Sequence, residues 1–199
     1  MAEIPEPLEH AAEEAKDKAF TRRVALTTAV YAVVLALTSL GGNNAMKEML
    51  LAQQQASDQW NFYQAKVIRE HQYRAQALRI EADLVERGAT MSPAARAKLE
   101  ELRAKFAEEE KRYNAEKKDI EKEAKKLEHE RDENRARDPN FDLAEALLQI
   151  GIVIASVSIL STSRALYGVS VVFALVATLF CVNGFTLLVH LPFLGVPHP

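Results

Sequence analysis

Two stretches of this chain are almost free of charge, and they constrain its fold more than anything else in it. Val24 to Leu40 contains no Asp, Glu, Lys, Arg or His, and between Ala146 and Pro192 the only such residues are Arg164 and His190. A charge left in hydrocarbon costs about 2.5–3.5 kcal/mol on insertion scales. Such runs, beside a middle as charged as this one, read as membrane spans.

The whole-chain figures of 48% hydrophobic and 27% charged hide this division. Residues 1–23 hold six acidic and four basic side chains, and residues 44–138 hold 20 of each sign. A charge balance near zero gives no basic excess for a phosphate backbone, so nucleic acid is not an expected partner. Cys181, the single cysteine, lies in an apolar run, so neither an intrachain disulfide nor a multi-cysteine metal site organises the fold.

A hydrocarbon layer of ~30 Å needs about 20 helical residues. The first span is placed at 20–41, with Arg22 and Arg23 reaching back to the headgroups, behind an acidic tail at 1–19. It starts late for a cleaved signal peptide and is followed by Gly41-Gly42-Asn43-Asn44, so an uncleaved anchor is expected. The second apolar stretch is too long for one crossing and is broken by Ser161-Thr162-Ser163-Arg164. It divides into a second span at 143–160 and a third at 166–190, with a tail at 191–199. Asp138-Pro139 upstream reads as a helix start, aspartate as N-cap and proline in the first turn.

Orientation follows from short flanks. Arg22, Arg23 and Arg164 fall on one side, and LPFLGVPHP on the other carries no Lys or Arg. The N-terminus is expected inside, with the charged middle and the C-terminus outside. Arg131, Arg135 and Arg137 oppose that assignment.

The middle, 44–138, reads as an antiparallel helical hairpin. Gly88 is its only glycine and Pro93 its only proline, so 87–93 is the turn: Gly88 ends one arm, Ser92 caps the next, and Pro93 takes its first position. The arms, about 45–87 and 93–137, would each span roughly 65 Å at ~1.5 Å per residue. The second arm carries a seven-residue series, Leu99, Phe106, Tyr113, Ile120, Leu127 and Asn134. Its other seam position is Leu102, then Glu109, Glu116, Glu123 and Glu130. The first arm offers Trp60, Gln64, Val67, His71, Ala75, Leu78, Ala82 and Val85 at spacings of three and four. Such narrow seams bury little area, so self-association or support from the spans is expected. The fold class is therefore all-α: three transmembrane helices with a long coiled-coil-like hairpin between the first and second.

The stretch AMKEMLLAQQQASDQWNFYQAK (45–66), the acidic head LEHAAEEA with His10, the span, the charged helical middle and two closing spans together resemble a bacterial membrane family known only as domain of unknown function 4337. The resemblance covers nearly the whole chain. It implies a bacterial integral membrane protein and supplies no activity, cofactor or catalytic residue. Heads of the family carry several histidines; here His10 stands alone, which weakens any metal site there.

Trp60, Tyr63, Gln64 and Val67 share one helical face and form the candidate interaction surface. They serve either as anchors for a partner or as packing at the base of the hairpin. Gln149, Asn183 and Thr186 are the candidate intramembrane polar contacts, as glue between helices or as pore lining. His190 reads as an interfacial histidine, and His71 and His129 lack a second histidine at metal-ligand spacing. The runs Glu108–Glu110, Lys117-Lys118 and Lys125-Lys126 read as solvated faces laced by pairs four residues apart. No phosphate loop, nucleophile elbow or triad pattern appears, so no catalytic, cofactor-binding or metal residue is assigned and no enzyme is expected. The sequence thus points to a non-enzymatic protein of a bacterial inner membrane. Its partners would be the bilayer, further copies of itself and an envelope protein. The alternative is an oligomeric channel or transporter component lined by the transmembrane helices.

Overall fold

The computed structural model describes residues 6–189, with side chains from Glu14 onward. His190, the tail at 191–199, the first five residues and the side chain of His10 lie outside the described residues. The protein is all-α. Helix α1 runs Glu6–Arg87, α2 Pro93–Leu160 and α3 Arg164–Thr186, and there is no strand among the described residues. Each helix contains a window long and apolar enough to cross a membrane. Only 22%, 28% and 22% of those windows is covered by the protein itself, so their apolar surface faces outward.

The chain divides into two compact units. The first comprises residues up to Met49 and from Asp132 onward; the second is Leu50–Arg131.

In the first unit, Phe20 and Thr27 meet Tyr167 near the start of α3, and Gly41 lies against Phe185 near its end. The α1 and α3 segments therefore run parallel. The α2 segment runs opposite to α3, since Phe141 lies against Gly184 and Gly151 against Ser170 and Ala174. The core is built on small residues: Ala155, Ala174 and Ala177 are buried with Val24, Tyr31 and Leu148. A second cluster gathers Ala45, Phe141, Ala144 and Cys181. Small side chains let helix backbones approach closely, the usual basis of packing where lipid tails remove any hydrophobic drive between helices.

Phe141 sits at this close approach, its ring edge-on to that of Phe185 at 4.9 Å. A Cβ on Gly41 or Gly184 would fall 2.7 Å or 2.8 Å from its ring, and one on Gly42 would fall 3.1 Å from its Cβ. The three glycines form a socket for the ring. That requirement accounts for Gly41-Gly42 inside α1, where glycine costs about 1 kcal/mol per residue relative to alanine.

The reading of Asp138-Pro139 as a helix start is corrected. Pro139 lies inside α2, which continues unbroken from Pro93. A proline in mid-helix removes one backbone hydrogen bond and crowds the carbonyl four residues earlier. Here neighbouring contacts hold the helix through that loss. Asn140, only 3% exposed, donates from Nδ2 to the Ala136 carbonyl at 3.0 Å, and Phe141 is seated in its socket. Tertiary packing outweighs the local signal.

The α2–α3 junction is short. α2 stops at Leu160, Thr162 takes a left-handed φ of 45°, and Ser163 caps α3 by accepting from the Leu166 amide. In the second unit, α1 ends at Arg87 and α2 begins at Pro93. A Cβ on Gly88 would fall 2.3 Å from the Leu84 carbonyl oxygen, so only glycine fits at the first turn position. The Ser92 hydroxyl accepts from the Ala95 amide at 3.3 Å, satisfying one of the free donors of the new helix.

Candidate functional site

In the second unit, side chains of α1 meet side chains of α2. Gln53 pairs with Arg131, Trp60 with Glu128, Lys66 with Glu116, and Tyr73 with Phe106. On α2 the series Leu99, Phe106, Tyr113, Ile120, Leu127 and Asn134 faces inward, none of it exposed. Of its companion series, Leu102, Glu109 and Glu116 are half-buried, whereas Glu123 and Glu130 are exposed; Glu110, Lys117, Ala124 and Arg131, one residue later, are covered as well.

The inward face of α1 also differs from the expected one. Two strict seven-residue series are covered: Ala56, Tyr63, Glu70, Ala77 and Leu84, and Ala52, Gln59, Lys66, Tyr73 and Ile80. Trp60 and Val67 flank this seam, half-buried. Gln64, His71, Ala75, Leu78, Ala82 and Val85 are exposed. Within the candidate interaction surface, Trp60 Nε1 donates to Glu128 Oε1 at 3.0 Å and its ring meets Tyr63 edge-on at 5.4 Å. Trp60, Tyr63 and Val67 thus sit on or beside the contact with α2, while Gln64 points away from it.

The seam is polar at its centre. Glu70, 5% exposed, accepts from Asn114 Nδ2 at 2.8 Å and from Lys117 Nζ. Those donors, Lys117 first, hold its carboxyl below the usual carboxylate range against the opposing effect of burial. Beside it, the Tyr113 hydroxyl accepts from Arg69 at 3.3 Å and Arg112 at 3.1 Å, and its ring stacks on Tyr73. The two guanidinium donors, Arg69 foremost, push the phenol below its ordinary pKa. Sequence reading missed Glu70 and Asn114, and its placement of Lys117 on a solvated face is corrected, because the ammonium is drawn into the seam by the Glu70 carboxylate. Their signal was a charged residue interrupting an otherwise apolar heptad series, Ala56–Tyr63–Glu70–Ala77–Leu84.

In the first unit the three polar candidates part company. Asn183 Nδ2 donates to Asn140 Oδ1 at 2.8 Å and to the Val189 carbonyl at 2.9 Å, while its Oδ1 accepts from the Val189 amide. It joins α2, α3 and the segment after α3, where Leu187 adopts a left-handed φ of 50°. Gln149 pairs with Glu145 one turn away at 3.2 Å, and the Thr186 hydroxyl donates to the Val182 carbonyl at 2.8 Å. Neither of those two bonds reaches another helix. Among the described residues, no group of three or more His, Cys, Asp or Glu stands placed to hold a metal ion.

These features define an all-α protein with three helices apolar enough to span a bilayer and an extended, highly charged pair of helical segments. The chain belongs to the family described as domain of unknown function (DUF4337), whose profile matches residues 20–187. No curated protein and no solved structure matches it significantly.

Proposed function

We propose that this chain is a non-enzymatic integral protein of a bacterial inner membrane. It crosses at 20–41 and 143–160 and through α3, which ends at Thr186, short of the expected 190, with its N-terminus cytoplasmic. Residues 44–138 form an antiparallel hairpin on the outer side that mediates self-association or docks an envelope partner. The apolar, uncovered windows of all three helices support the membrane assignment.

One observation carries the docking role. Ile68, His71, Ala75, Leu78, Ala82 and Val85 follow the three–four spacing of a coiled-coil seam, yet all are exposed. Ile68 and Leu78 are each 58% exposed and Val85 is 84% exposed. His71 to Val85 of the face that sequence spacing assigned to the returning arm, together with Ile68, is left open for another helix. An apolar stripe of that length on a solvated rod is the kind of surface that recruits a partner helix.

Mass measurement after gentle detergent extraction tests this. The Leu78→Glu/Val85→Glu variant is expected to lose the higher-order species or co-purifying protein while keeping its helical content. Unchanged mass and unchanged partners would overturn the docking role. Recovery of the wild-type chain in the supernatant after ultracentrifugation without detergent would overturn the membrane assignment.

A further inference from the structure

We infer that the end of the first unit where α3 begins binds the phosphate headgroup of an anionic phospholipid. The inference rests on the membrane reading above and names a specific partner for it. Three arginines belong to that end of the unit, two on α1 and one on α3. Phe20 and Thr27 of α1 both touch Tyr167 of α3, with ring centroids 5.9 Å apart for the first and oxygens 3.0 Å apart for the second. Arg23 lies between those two residues on α1, and Arg22 is its neighbour. Arg164 lies one turn before Tyr167 and opens α3.

All three arginines are exposed, and among the described residues none forms an ion pair. Along the helices beyond them, away from the acidic head, no carboxylate follows for several turns. α1 has no Asp or Glu from Lys18 to Lys47, and none occurs from Ala146 to Thr186. Among the described side chains, Glu14 is paired with Lys18 at 3.6 Å and Asp17 is the remaining carboxylate close to them in sequence.

The surface next to this charge identifies the ligand's other half. Within about two turns, Leu26 is 63% exposed and Val30 59% exposed, and on α3 Val169 and Val172 are 44% and 59% exposed. Concentrated positive charge bordered by open aliphatic walls fits a phosphate ester that carries acyl chains. A soluble phosphate or an acidic peptide would leave those walls unused. Basic side chains near a bilayer surface each favour anionic lipid by about fivefold, so three together favour it by roughly a hundredfold.

The test is native mass spectrometry of the full chain in mild detergent. Phosphatidylglycerol is compared with phosphatidylcholine of the same acyl chains. The wild type is expected to retain phosphatidylglycerol preferentially, and Arg22→Gln/Arg23→Gln/Arg164→Gln to lose that preference. Lys47→Gln/Arg135→Gln, which removes charges elsewhere in the same unit, is expected to keep it. Millimolar inorganic phosphate should not displace the lipid. Equal retention of the two lipids by the wild type, or a preference that survives in the triple variant, overturns the proposal. So does displacement by free phosphate. Each of these results leaves the membrane assignment standing, because that assignment fails only if the chain needs no detergent.

Discussion

Phe141 and its glycine socket offer a quantitative test of how the first unit is held together. The ring is 2% exposed, and a Cβ on Gly184 would fall 2.8 Å from it, well inside contact distance. Phe141→Ala removes the ring; the void of roughly 100 Å³ would cost about 2.4 kcal/mol at about 24 cal/mol per Å³. In lipid the transfer contribution falls away, so this packing loss should be most of the effect. Gly184→Ala does the opposite and overfills the socket, at a cost of about 1–3 kcal/mol. The two effects should compensate. With the ring gone, the added methyl has room, so Gly184→Ala should cost little or even stabilise the Phe141→Ala background. Unfolding of the full chain in mild detergent, followed by loss of helical signal for the wild type, both single variants and the double, measures this coupling. The expected coupling is about 1–3 kcal/mol and favourable. If Gly184→Ala were equally costly with and without the ring, the socket would not be the reason for glycine at that position.

Other outcomes follow from the polar contacts. Glu70 has a lowered pKa in the fold, so its stabilising contribution is present above the unfolded carboxyl value and is lost as pH falls through the folded value. Acidification below about pH 4 should therefore loosen the second unit, and Glu70→Gln should flatten that dependence in a pH series of melting curves. Asn183→Leu should destabilise by about 1–3 kcal/mol, since it strands the Asn140 amide oxygen and both Val189 backbone groups. Reporter fusions near residue 90 and at the C-terminus should both report the outer side, and a cytoplasmic signal from either would reverse the proposed orientation.

Helix ends marked by local chemistry were legible in the sequence. Gly88, Ser92 and Pro93 surround the first turn, and Ser161 to Arg164 the second, because those residues act through their own backbone or hydroxyl within a few positions. Pro139 misled because its local effect was opposed by contacts through Asn140 and Phe141 that come from distant parts of the chain. The face of α1 was misread for a different reason. Its inward series includes Gln59, Lys66 and Glu70, so apolar spacing led instead through Val67 and His71 to Leu78 and Val85 on the open side. A polar residue in a seam is invisible to a hydrophobic pattern until its partner is known, and Lys117 lies 47 positions away. Asn183 was noticed as an intramembrane polar residue, but its partner Asn140 lay in a segment read as the approach to a span.

The Glu70–Lys117 contact also discriminates between alignments of the two helical segments of the second unit. A shift of one heptad in one direction sets Glu70 against Glu110, pressing like charges together in a poorly hydrated seam. A shift the other way sets it against Ala124, leaving a carboxylate with nothing to accept from. Alanine and leucine positions could tolerate either slip, so this contact adds to Lys66–Glu116 and to the short turn after Arg87 in holding one alignment.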